Sequence, residues 1–213
     1  MSASFDPQCT LCPRLAGHLA GLRETHPNYH NAPVAAFGDP DARLLIVGLA
    51  PGTHGANATG RPFTGDFAGI LLYKTLHACG LASLPQSTSL DDGLRLLGCR
   101  ITNAVKCLPP QNKPTTAEAN TCNAYLRAEL RSLPSNAVVL ALGSIAHRAV
   151  LRAFDLRLSG FPFGHGRRHM LADDCTLFDS YHCSRYNTQT RRLTEEMFTA
   201  VVQAARDAAR NET

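Results

Sequence analysis

Short runs of uninterrupted apolar residues alternate along the chain with longer stretches in which apolar positions recur every three to four residues. The first run, 43–49 (RLLIVGL), places aliphatic side chains at consecutive positions, as a strand buried on both faces requires. The stretch after it, 67–79 (FAGILLYKTLHAC), has the length of a helix and is stopped by Gly80. Residues 99–104 read as the next strand. A helix follows from about Thr116, announced by Pro114 and by the capping-box pattern Thr115-x-x-Glu118. The third run, 137–142, leads through Gly143 and Ser144 into a helix that continues to about Ala153. Residues 176–181 form the fourth. A final helix runs from about Thr194 towards Ala209, with Leu193, Met197, Val201 and Ala204 or Ala205 on one face.

Strands that alternate with helices pair in parallel and need cover on both faces. The pattern therefore predicts a three-layer α/β/α sandwich around a central, mainly parallel four-stranded sheet. No repeat, low-complexity segment or charge block marks a linker, so residues 1–213 are expected to form a single domain. In such sheets the ligand lies beyond the carboxyl ends of the strands. The segments leaving those ends are 50–66, 103–115, 143–144 and 182–190. They are also the segments richest in Gly, Pro, Asn, His and Thr.

Composition adds boundaries. At 44% hydrophobic and 18% charged residues the chain should build a core rather than remain disordered. The longest apolar runs, 44–50 and 137–142, are far too short to span a bilayer, and the first residues lack the basic and apolar regions of a signal peptide. A soluble, intracellular protein is expected, with a monomer as the default. The net charge of +4 is a weak pointer to nucleic acid, but only Lys74, Lys106 and Lys113 are lysines. Arginine's planar fork suits phosphate, although the same bias follows, with slightly better odds, from a GC-rich genome.

Eight cysteines without an export signal argue for metal rather than a disulfide framework. Cys9 and Cys12 form a C-x2-C pair, and Cys107 and Cys122 a C-x14-C pair. Four thiolates can hold zinc or a [4Fe–4S] cluster, and the ligand set does not decide between them. The two pairs stand about 95 residues apart, unlike a compact zinc ribbon. Cys79, Cys99, Cys175 and Cys183 read as buried thiols.

The first strand-end loop carries five glycines, at 48, 52, 55, 60 and 65, which let a ligand approach the backbone. It lacks the Gly-Lys-Ser/Thr ending of a P-loop. From glycine content alone, an anion-binding loop and a long surface loop fit equally well. The fourth loop begins at His182 and supplies hydroxyls, amides, arginines and Tyr186, a set that suits phosphate contacts with an aromatic in reach of bases.

Together, GLAPGTHGANATGRPFTGD (48–66), TNAVKCLPPQNKP (102–114), LGSIAH (142–147) and YHCSRYNTQTRRLT (181–194) resemble the uracil-DNA glycosylase superfamily, and within it family 5, the type-b enzymes. The motifs follow family order over nearly the whole chain. The resemblance implies a cytoplasmic, nucleoid-associated base-excision repair enzyme acting on DNA that contains uracil or other damaged bases. Cys9, Cys12, Cys107 and Cys122 match the group's iron–sulfur ligands, which favours a [4Fe–4S] cluster over zinc. Phe63 matches the residue that stacks on a flipped base, and Asn103 the asparagine that reads it by accepting from uracil N3–H and donating to O4. His182 matches the donor to O2 of the departing base. Ala50, Gly52 and His54 fall in the same base-binding motif. Arg185, Tyr186 and Asn187 sit where relatives insert a loop into DNA. Ser144, at a helix start, suits either a phosphate contact or a helix N-cap.

Two departures sharpen the picture. Where other families of the superfamily carry an acidic or amide side chain that positions water, this chain reads Leu49-Ala50. Asp66 is the next candidate, matching the aspartate of the family-5 FTGD segment, though it also directly precedes a helix as an N-cap would. Gly52 stands where uracil-selective relatives block a 5-methyl group, which implies a broader range including hypoxanthine, xanthine or modified pyrimidines. No loop lysine other than Lys106 or Lys113 could form a Schiff base, so the expected enzyme is monofunctional and leaves an abasic site. The competing readings are a non-catalytic iron–sulfur damaged-DNA-binding protein of the same fold, and a zinc-stabilised nucleotide-binding module.

Overall fold

The computed structural model describes residues 4–210. Four parallel strands form the centre of the sheet: β2 (Leu44–Gly48), β3 (Cys99–Asn103), β4 (Val138–Leu142) and β6 (Thr176–Ser180). All four agree with the apolar runs to within two residues at each end. The sheet is wider than the four strands expected, because β1 (Phe37–Gly38) and β5 (Arg168–Met170) add antiparallel edges, giving the order β1-β3-β2-β4-β6-β5. Neither edge strand has an apolar run to betray it, since edges need no burial on both faces.

Consecutive residues of each central strand enter opposite cores. Leu44, Ile46, Val138, Leu140 and Phe178 pack with α3 (Phe67–Ala78), which follows the short α2 (Ala56–Thr59) of the first loop, and with α7 (Glu195–Arg210). Leu45, Val47, Val139, Ala141 and Leu177 pack under α4 (Thr116–Arg131) and α5 (Ser144–Ala153). These two layers complete the three-layer sandwich. α4 starts on the anticipated capping box: Thr115 Oγ1 accepts from Glu118 N–H, and Glu118 Oε2 accepts from Thr115 N–H. On α7 the expected face is the buried one, with Val201 and Ala205 in the core, Met197 packed against it and Leu193 buried just ahead of the helix; Phe198 and Val202 widen that face. Helix α1 (Pro13–Thr25), not anticipated from its two glycines and scattered leucines, lays Leu15 and Leu19 on a third cluster with Val105, Leu108 and Tyr125. Among the described residues no helix is long and apolar enough to cross a membrane.

Candidate active site

The ends of β2 and β3 build a recess around Gly48. An added Cβ there would lie 2.4 Å from Asn103 Oδ1 and 2.6 Å from Phe63 Cζ, so only glycine admits both side chains against the strand. Asn103 is buried, and its Oδ1 has no hydrogen-bond partner in the protein. A buried, unpaired acceptor costs on the order of 1–3 kcal/mol, and one that stands at a recess is placed to take a ligand's donor. Phe63 holds a left-handed backbone, φ +56°, with its carbonyl pressed so closely on α3 that only Gly69 fits beneath it. Strain of this kind persists where surrounding contacts over-determine it. Here the brace is Arg61, buried and paired with Asp92 at 2.7 Å, together with the Tyr73 hydroxyl, which donates to Pro62 O at 2.7 Å.

His182 leaves β6 and faces the same recess, its ring stacked at 6.0 Å and 28° to that of Phe63. Its Cβ lies 3.4 Å from where Gly143 would carry one. Burial pushes the imidazole pKa down to about 4, which keeps it neutral at physiological pH. Asn187 Nδ2 donates to His182 O at 2.8 Å, so this residue holds the histidine's backbone in place.

Asp66 is the N-cap of α3: Oδ1 accepts from Gly69 N–H at 2.8 Å. Its other oxygen, Oδ2, faces the glycine loop, where a Cβ on Gly55 would approach it to 2.6 Å and one on Gly52 to 3.5 Å. Burial raises the Asp66 pKa, while the N–H groups of Gly69 and Ala68 oppose that shift. The cap and a second carboxylate oxygen turned towards the glycine loop thus coexist in one side chain.

The remaining expected residues surround this centre. Arg185, Tyr186 and Asn187 are not on an extended loop but in a short helix, α6 (Arg185–Gln189), capped by Ser184. Arg185 lies over the Phe67 ring at 5.0 Å, and Tyr186 is 70% exposed at the surface. Ser144 is the first residue of α5 and Gly143 takes the cap position, so the N-cap reading of Ser144 does not hold. Beside His182, a cavity of about 210 Å³ is walled by Leu49, Ser144, Phe163, Tyr181 and Arg192, the last lying over the Tyr181 ring at 4.5 Å. His54 turns outward to the Tyr29 hydroxyl, 3.0 Å from its Nδ1, and Ala50 packs against the cluster that contains the cysteines. Lys106 is withdrawn from any chemistry, buried and paired with Glu129 at 2.8 Å.

Cys9, Cys12, Cys107 and Cys122 line one small apolar pocket with Leu15, Pro33 and Tyr125. Burial and the neighbouring thiols push Cys107 up to about 12 and Cys122 to about 11, although the Lys106 N–H, 3.2 Å from Cys122 Sγ, eases the latter. The other four cysteines are buried, as expected. Among the described residues the one group whose ligand atoms lie within 4.8 Å of one another is not the cysteines but His147, His169 and Asp179. Those atoms already satisfy each other, with Asp179 bonded to His147 at 2.7 Å and to His169 at 3.2 Å.

The profile of the uracil DNA glycosylase superfamily matches residues 35–206, which spans every element of this site except the N-terminal cysteine pair. The chain belongs to that superfamily. It is 49% identical to a type-5 uracil-DNA glycosylase of Thermus thermophilus, with 94% of each chain covered. It is 41% identical to a type-5 enzyme of Pyrobaculum aerophilum, covering 94% of this chain and 89% of the relative. These likenesses put it in the type-5 branch. A crystal structure of Pedobacter heparinus SMUG2 shares the fold, with a TM-score of 0.53 at 14% identity over 99% of this chain and 94% of the other.

The sequence motifs point to the side chains at the recess but not to what holds them. The contacts of Gly48 and the Arg61–Asp92 brace join residues distant in the chain, and no local pattern signals them; the tie from Asn187 to His182 spans only five residues.

Proposed function

We propose that this chain, working as one domain over residues 1–213, is a monofunctional DNA glycosylase that hydrolyses the N-glycosidic bond of deoxyuridine. The observation that carries the proposal is the unpaired, buried Asn103 Oδ1 beside the Phe63 ring, an acceptor set at a flat apolar surface. Uracil N3–H completes that acceptor, whereas the ring nitrogen of cytosine has no hydrogen to offer. A base reaches the recess only when flipped from the stack, with Ser144, Arg185, Tyr186 and Asn187 at the DNA face.

Water attacks C1′, the C1′–N1 bond breaks, and its electron pair passes to the leaving uracil, where charge gathers on N1 and O2. Neutral His182 donates an N–H to O2 and meets that charge without titrating. Asp66 Oδ2 orients the water and takes its proton, and its raised pKa makes it a stronger base than a solvated aspartate. The negative charge of Asp66 also favours the cationic sugar. The uracil anion then takes up the proton that Asp66 releases, so uracil and an abasic site are the products, the carboxylate is restored, and no lysine adduct forms.

Gly52 leaves the 5-position of the base unguarded: even an added Cβ would meet only Asp66 Oδ2, at ordinary contact distance. This supports a substrate range that extends to hypoxanthine, xanthine and 5-substituted pyrimidines. Four thiols in one pocket suit a [4Fe–4S] cluster held by Cys9, Cys12, Cys107 and Cys122, whose iron would supply the positive charge that buried thiolates need. A single zinc ion, with bonds of about 2.3 Å, would instead draw the sulfurs to about 3.8 Å from one another. The cluster's part is structural, tying α1 to α4 and to the loop that follows Asn103.

An oligonucleotide with one deoxyuridine, incubated with the protein and then treated with alkali, should break at that position and only after the alkali. Intact strands with uracil, hypoxanthine and xanthine, single- and double-stranded alike, would favour a non-catalytic damage-binding protein.

A further inference from the structure

The helix that begins at the cysteine pair and the loop that surrounds Asp66 meet at one buried contact. Cys12 is the N-cap of α1, and Asn31 closes the far end of that helix: its Nδ2 donates to Leu22 O at 3.3 Å and His26 O at 2.8 Å. Asn31 is fully buried with φ +45°, a left-handed conformation that asparagine tolerates better than most residues. Its Oδ1 accepts from Asn57 Nδ2 at 2.8 Å, and Asn57 is fully buried too. Alongside, His30 N–H donates to Ala58 O and Asn31 N–H to Asn57 O, each at 3.1 Å. Asn57 N–H then donates to Gly52 O at 3.1 Å, as does Gly55 N–H at 3.2 Å. Gly52 and Gly55 are the backbone against which Asp66 Oδ2 rests.

We propose that Asn31 and Asn57 are positioning residues for Asp66, holding the Gly52–Gly55 backbone at the carboxylate by fastening it to the helix that starts at the cysteines. Glycines 52 and 55 have no side chains with which to pack, so hydrogen bonds to their backbone set where this part of the loop lies. The base-binding side chains are held otherwise, by Gly48, the end of β3 and the end of β6. Loss of the pair should therefore slow bond cleavage and leave base binding nearly intact. The proposal rests on the catalytic role given to Asp66 above.

The test uses Asn57→Ala and Asn31→Gly, the latter keeping the left-handed backbone, in the full chain with its native metal content. Single-turnover uracil excision is measured against enzyme concentration and pH, with visible absorbance and melting temperature in parallel. The excision rate should fall by about tenfold or more, as lost orientation predicts, with half-saturation changed by less than about twofold. The acid limb of the pH profile should move, and the absorbance should not. A wild-type rate, or equal losses in rate and binding with an unmoved profile, would overturn the proposal. Asn57→Ser provides the same comparison if the alanine variant does not fold. Asp66→Asn, measured beside them, separates the two claims. Full activity there refutes the role of Asp66, whereas an inactive Asp66→Asn beside a fully active Asn57→Ala refutes the positioning pair alone.

Discussion

Replacing Gly48 with alanine adds one methyl group between Asn103 and Phe63, at the proposed base recess. Gly48 has no left-handed backbone to strain, so the perturbation is purely steric. The new carbon would lie 2.4 Å from Asn103 Oδ1 and 2.6 and 2.7 Å from two carbons of Phe63. Carbon pairs are comfortable at about 3.5–4.0 Å, so the ring and the amide must each retreat by about 1 Å. Overpacking of this size costs roughly 1–3 kcal/mol, and for a domain of this length about 2–4 °C of melting temperature per kcal/mol. A displacement of about 1 Å at groups that orient substrate costs on the order of a hundredfold in rate. Gly52→Ala serves as the control, because its Cβ would meet only Asp66 Oδ2 at 3.5 Å, an ordinary contact. The assay is kcat/KM for excision from an oligonucleotide with one deoxyuridine, with thermal melting of both variants. We expect Gly48→Ala to remain folded and lose about two orders of magnitude, while Gly52→Ala stays within a few-fold of wild type. A Gly48→Ala enzyme within threefold of wild type would refute the placement of the base against Phe63 and Asn103.

Asp66→Asn retains an oxygen for the Gly69 N–H but no base, so excision should vanish with little change in melting temperature; Asp66→Ala should in addition lose about 1 kcal/mol with the helix cap, read by thermal melting. The His182 pKa lies at about 4 in the folded protein, below that of a free histidine, so the unfolded chain binds the extra proton between those values. The stability tied to a neutral His182 is therefore complete above about pH 6.5 and declines as pH falls towards 4. Denaturant titrations across that window should show His182→Gln with the shallower slope. Cys107→Ser should abolish iron binding and visible absorbance and lower the melting temperature by about 5–10 °C, because metal binding is coupled to folding; an unchanged spectrum would refute the four-cysteine site.

The central strands were legible because each is buried on both faces, which leaves an apolar run with no alternation to misread. The capping box at Thr115 and Glu118 and the stop at Gly80 were legible because both act within a few residues. The edge strands were not. Phe37–Gly38 and Arg168–Met170 are short, and their places depend on β3 and β6, which are distant in sequence. Ser144 looked like a cap because serine prefers that position, yet Gly143, with φ +97°, makes the turn off β4. In the site, Phe63, Asn103, His182 and Asp66 were named through family motifs, and the fold brings Phe63 together with Asn103 and with His182. Asn31 and Asn57 carry no local signal that singles them out. Their roles exist only because α1, whose sequence pattern is weak, returns the chain to the first loop.

In the proposed complex a flipped base lies on Phe63, is read by Asn103 and leaves against His182. A crystal structure of Asp66→Asn bound to an oligonucleotide with one deoxyuridine puts that arrangement to the test. Uracil should stand out of the helix with one face on the Phe63 ring, N3 within hydrogen-bond reach of Asn103 Oδ1, and O2 towards the His182 imidazole. Uracil left stacked in the strand, or lodged instead in the cavity walled by Tyr181 and Arg192, would contradict it.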